Sequence, residues 1–93
     1  MKIVRKQFDL INKVPDALVF QFKNSEEYCS VPSFSLSKVG KTLKECEDNT
    51  VKAFVDDNPK AEVAYLFVGY HKGANRAFIG VLDKDAQLLG QEI

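Results

Sequence analysis

The stretch His71-Lys72-Gly73-Ala74-Asn75-Arg76 holds the residues best suited to chemistry. A glycine lets backbone amides approach an anion, and Lys72 and Arg76 would bring positive charge to it. Tyr70 and Phe78 flank the stretch and would stack on a base if exposed. The candidate set for anion or nucleic-acid binding is therefore His71, Lys72, Gly73, Asn75 and Arg76. Neither G-x-x-x-x-G-K nor G-x-G-x-x-G occurs here, so the simpler reading of the same residues is a solubilising hairpin.

Other chemistries find less to work with. A thiol-dependent enzyme would need Cys29 or Cys46 beside His71 and an orienting carboxylate. Cys46 falls on an apolar stripe and Cys29 alternates with Val31, so both read as small hydrophobes. The pairs Glu26/Glu27, Asp56/Asp57 and Asp83/Asp85 fall in turns or at a helix end and read as solvated. Asp83-Lys84-Asp85 begins like a calcium loop, but Leu88 stands where the loop needs glycine and the twelfth position lies beyond residue 93. Two cysteines without C-x-x-C, and a single histidine, point to no metal site. Ser30, Ser33, Ser35 and Ser37 suit turns and caps, and no G-x-S-x-G surrounds them. No catalytic residue, metal or cofactor is assigned.

The bulk properties set the class. With 93 residues the chain reads as a single domain, 1–93, with one modest core. Thirteen Lys and Arg balance thirteen Asp and Glu, which argues against general nucleic-acid or anionic-membrane binding and leaves only a local patch. No apolar run reaches the ~18 residues of a membrane span or follows Lys2, Arg5 and Lys6 as a leader would. The expectation is a cytoplasmic protein with reduced thiols.

The elements that would position these residues follow from periodicity. Met1, Val4, Phe8, Ile11 and Val14 fit a helical stripe; Val4, Phe8 and Leu10 also fit a strand broken by Lys6. The helix covers more positions and is the preferred reading. Leu18–Lys23 and Tyr28–Val31 alternate as a hairpin, and Pro32 takes the chain out of the sheet. Leu36, Val39, Leu43, Cys46, Thr50, Val51, Phe54 and Val55 mark one face of a long helix, about 36–57, ended by Asn58-Pro59. Thr42 and Glu45 have capping-box spacing, and Glu47-Asp48-Asn49 offers a place where the helix could break. Lys38, Lys41 and Lys44 lie near the positive end of the helix dipole, and a break there would put Glu47 and Asp48 at a favourable N-terminus and remove part of the conflict. Ala61–Tyr70 and Arg76–Leu82 are apolar on both faces and read as central strands, and Gln87–Ile93 as a short edge strand.

The predicted fold is α+β: an antiparallel sheet of about five strands, one long helix across one face and an N-terminal helix, in the order (α)ββαβββ. That order resembles the element order of profilin-like, roadblock-like and PAS-like domains, with no motif match and no site carried over. The central strands need cover on both faces, so either the N-terminal segment, a second copy or another protein must supply the second roof. The function expected is a small non-catalytic interaction or regulatory module, working with a protein partner or a second copy and away from membranes. Its candidate surfaces are the basic residues Lys38, Lys41 and Lys44, which would dock an acidic partner, and the last strand at Leu88 and Leu89, whose edge would accept a strand.

Overall fold

A computed structural model describes residues 1–10 and 14–90. The strands are β1 (Lys2–Asp9), β2 (Ala17–Phe22), β3 (Tyr28–Ser35), β4 (Val63–His71), β5 (Arg76–Leu82) and β6 (Ala86–Gly90). Between β3 and β4 lie a one-turn helix α1 (Leu36–Val39) and the main helix α2 (Leu43–Asp57). The strands form one six-stranded sheet in the order β1-β4-β5-β3-β2-β6. The class is α+β, as the periodicity implied, with α2 packed on β4 and β5.

Several expectations are corrected. The N-terminal segment is a strand, not a helix, across Lys2–Asp9. It lies parallel to β4, with Val4 opposite Tyr65 and Phe8 opposite Gly69, so the sheet is mixed and has six strands rather than five. The order is therefore βββααβββ, and the likeness in element order to profilin-like, roadblock-like and PAS-like domains lapses. The stripe from residue 36 to 57 is two helices. Gly40, at φ 64°, closes α1 in the left-handed region and turns the chain before Thr42. The break falls there and not near Asp48, because Thr42 and Glu45 form a complete capping box at the start of α2. Ile11 and residues 91–93, parts of the first and last predicted segments, lie outside the described residues.

Pro32 does not end its strand. Residues Tyr28–Pro32 of β3 pair with β2, and Ser33–Ser35 pair with β5. Proline stands where the strand leaves one partner for the other, so its missing N–H costs little ladder. This handover curls the sheet.

The curl supplies the second roof. Ala64, Leu66 and Val68 are buried on the helix side of β4. Phe67 is buried on the opposite side, in a cluster with Leu10, Leu18, Phe20, Val31, Phe78 and Ala86. Phe8 of β1 joins this cluster, its ring centroid 5.7 Å from that of Phe20. The N-terminal segment thus contributes Phe8 and Leu10 to this face, whose main cover is Leu18 and Phe20 of β2. Two glycines make room on the inner face. Phe67 faces Gly80 and Phe78 faces Gly69 across the β4–β5 ladder. A Cβ on Gly80 would stand 2.7 Å from Val31 Cγ2, so no side chain fits beneath that ring without movement.

Candidate functional site

The hairpin singled out by sequence spends much of its chemistry on itself. Arg76 donates from Nε and Nη2 to Ser33 Oγ at 3.3 and 2.8 Å. Asn75, at φ 50°, donates from Nδ2 to Ser37 Oγ at 2.8 Å, and its carbonyl accepts from Leu36 N at 3.1 Å. His71 Nδ1 accepts from Ala74 N at 3.0 Å. The Asn75 and Arg76 bonds staple the β4–β5 turn to the corner where β3 enters α1. Lys72 and Gly73 remain exposed at the tip. The five residues are brought together, and three of them, His71, Asn75 and Arg76, brace the turn.

The basic trio is spread along the helices. Lys38 sits in the last turn of α1, where the dipole favours a cation. Lys41 is exposed between the helices, and Lys44 reaches Asp48 at 3.6 Å within α2. On β6, Leu88 turns inward to pack on the core cluster while Leu89 is 54% exposed. The cysteines are free and apart in the fold. Cys29 packs against the core, and burial pushes its thiol above the ordinary range, away from the reactive thiolate. Cys46 lies half-buried on α2.

The feature that the sequence reading missed is the outer edge of β1. Position in the sheet leaves this strand paired on one side only, by β4. Lys2 N donates to Glu62 O at 3.0 Å, so the even residues turn their backbone groups toward β4. By alternation Ile3, Arg5, Gln7 and Asp9 present N–H and C=O outward. The pairing with β4 runs from Lys2 to Asp9 without a register shift. There is no proline or bulge to blunt this edge.

A groove of about 530 Å³ lies on the helix face of the sheet, between β1 and α2 and inboard of that edge. Its floor is Leu66, and Ile3 and Val51 form apolar walls. Ile3 is 50% exposed, because α2 covers β4 and β5 but does not reach over β1. Arg5 anchors the near wall. Its Nε and Nη2 bind the two carboxylate oxygens of Glu47 at 2.7 and 3.3 Å, and Nη1 binds Gln7 Oε1 at 2.7 Å. The bond to Glu47 is also the main reason the guanidinium pKa is raised. Lys44 and Lys52 line the far wall.

A second cavity, about 600 Å³, opens where the β5–β6 turn approaches the segment before β4. It mixes Lys60 and Lys84 with Glu62, Asp83 and Asp85. Lys84 is turned to Glu27, at 3.6 Å, and lies over the Phe22 ring. Among the described residues no group of three or more His, Cys, Asp or Glu could hold a metal ion. No helix among them is long and apolar enough to cross a membrane.

Comparison of this chain with family models, with curated proteins and with solved structures gave no match.

Proposed function

We propose that this domain is a non-catalytic interaction module that takes an extended polypeptide onto the outer edge of β1. The observation that carries the reading is the unblunted edge from Ile3 to Asp9, on which Ile3 stands half exposed. A strand added there would gain ladder hydrogen bonds from the odd residues and set alternate side chains beside Ile3. Charged side chains normally guard such an edge. Here Lys6 is turned inward and Arg5 is drawn back to Glu47, so two of the guards are withdrawn. The two free cysteines suit the reducing, cytoplasmic setting in which such a module would work.

Self-association at β6 is a second reading, favoured by the exposed Leu89 on the other sheet edge. Five residues and a register shift against β2 make this the poorer template. Anion binding at the hairpin draws less support, because Asn75 and Arg76 are already bonded to Ser37 and Ser33.

The experiment is a displayed library of random octapeptides panned on the wild-type domain and on Gln7→Pro. The Gln7 N–H points outward, so proline removes an edge donor and spares the β4 ladder. Peptides retained by the wild type and lost on the variant support the edge. Equal retention on both, or loss only on Leu89→Pro, removes it.

A further inference from the structure

We infer that the strand received by the β1 edge is β1 of a second copy, antiparallel and centred on Gln7. This rests on the edge reading above and names its occupant. On the helix-facing side of β1 the side chains run Ile3, Arg5, Gln7, Asp9. Arg5 Nη1 donates to Gln7 Oε1 at 2.7 Å, and Gln7 Nε2 donates to Asp9 Oδ1 at 3.4 Å. The row therefore has a cation on one side of Gln7, a carboxylate on the other and an amide between them. Bonds to Glu47 and Gln7 occupy three of the five guanidinium N–H groups. The others can donate to a second carboxylate across the edge. The surrounding face is balanced, with Arg5, Lys44 and Lys52 against Asp9, Glu47 and Asp48. The whole chain carries no net charge, so two copies meet without overall repulsion.

Symmetry turns this row into its own complement. Two antiparallel copies of β1 in one sheet are related by a two-fold axis normal to the sheet. That axis sets odd residues opposite odd ones and even opposite even. Centred on Gln7, it pairs Gln7 with Gln7 of the second copy, Arg5 with its Asp9, and Asp9 with its Arg5. The odd residues carry the outward N–H and C=O groups, so these are the hydrogen-bonded pairs of the ladder. Two opposite-charge pairs then flank a pair of amides. Lys6 falls opposite Phe8 of the second copy, its own charge held by Asp85. Other centres are poorer. On Val4, Lys2 opposes Lys6; on Arg5 or Lys6, the central cation opposes itself. On Ile3 or Phe8, only three residues of each strand overlap. Because α2 packs on β4 and β5, the helices of the two copies stay apart. One pairing event also hides the open edge of both molecules.

The test is the oligomeric state of the intact domain. Sedimentation equilibrium from micromolar to millimolar concentration should show a monomer–dimer exchange. Amide exchange followed by NMR should slow at Arg5, Gln7 and Asp9 as the dimer fills. Asp9→Lys sets a cation against Arg5, and Arg5→Asp sets a carboxylate against Asp9. Each should raise the dimer dissociation constant at least about tenfold. Mixed in equal amounts, the two variants should recover the dimer, because every charge again faces its opposite. If Arg5→Asp fails to fold on losing Glu47, the contrast of Asp9→Lys with the charge-conserving Asp9→Glu still decides. A monomer at millimolar concentration, a dimer indifferent to both charge changes, or a mixture no tighter than its parts overturns the inference. So does a dimer protected at Leu88 and Leu89 instead. A monomer whose library peptides are still lost on Gln7→Pro would overturn the second copy alone and leave the edge as the binding element.

Discussion

Lys6 of β1 is ion-paired with Asp85, at the entrance to β6, so the two ends of the six-stranded sheet meet across its hollow. The ammonium also donates to the carbonyl of Ala86 at 3.2 Å and lies 5.7 Å from the centroid of the Phe67 ring. Lys23 pairs with the same carboxylate. A lysine pointing into a curled sheet is thereby satisfied at its tip while its stem packs on aromatic carbon.

This arrangement has a pH signature. Hydrogen bonds from Lys23 and Lys6 hold the Asp85 carboxyl down at about 2. A folded-state value below the unfolded one adds stability above about pH 4 that is lost as pH falls toward 2. The carboxylate is partly open to solvent, so screening holds the effect to about 1 kcal/mol. In urea titrations the wild type should lose that much more stability than Asp85→Asn between about pH 5 and about pH 2. Parallel pH profiles for the two proteins would show that the bridge contributes nothing.

Gly80 tests the packing under the curl. Its absent Cβ would meet Val31 Cγ2 at 2.7 Å, beneath a core with little room to move. Gly80→Ala should destabilise the domain by about 1–3 kcal/mol by overpacking. Val31→Ala in the same background removes the obstructing methyls. The double variant should lose less than the sum of the single ones, a coupling that thermal or urea melts would reveal. Simple additivity would mean that the strain lies elsewhere.

The start of α2 can be tested by removing its cap. Thr42 Oγ1 accepts from Glu45 N at 3.2 Å and Glu45 Oε1 accepts from Thr42 N at 3.4 Å. Thr42→Ala should cost about 1 kcal/mol and Thr42→Ser almost nothing. Chemical denaturation of the two variants distinguishes a cap from an idle surface residue, since both would match the wild type in the second case.

This box was legible as a spacing, yet the helix break beside it was not. Leu36, Val39 and Leu43 continue one stripe across Gly40, and periodicity carries no record of a left-handed residue. The misread charges follow. Lys38 lies at a favourable C-terminus once α1 ends at Val39, which the unbroken helix had made a conflict. The hairpin strands were plain because Leu18, Phe20 and Phe22 alternate with Val19, Gln21 and Lys23. β1 was hidden by Lys6, which breaks its alternation. Only the distant Asp85, Tyr65 and Phe67 explain a lysine there, and a parallel partner some sixty residues away leaves no local mark. Because β1 was read as a helix, its open edge went unseen with it.

Asn75 should prove structural. It holds φ 50° and bonds Ser37, while its carbonyl takes the first amide of α1. Asn75→Gly keeps the backbone and loses one side-chain bond. Asn75→Ala loses the bond and strains the turn as well, so it should be the less stable by about 1 kcal/mol. Lys72→Ala at the exposed tip should leave the melting temperature unchanged. If Lys72→Ala proved as costly as Asn75→Ala, the tip would be carrying a contact beyond this chain.

The two faces of β1 should respond oppositely to mutation. Phe8 packs inward at 5.7 Å from Phe20, whereas Ile3 on the same strand faces the groove and is half exposed. Phe8→Asp would bury an unpaired carboxylate against aromatic rings, a cost of several kcal/mol that a domain of this size has little reserve to absorb. Ile3→Thr changes a side chain already in water and should shift stability by no more than about 0.5 kcal/mol. Circular dichroism and melting curves of both variants therefore report which face of the first strand closes the core. A folded Phe8→Asp protein that had only lost an oligomer would reassign Phe8 to an interface.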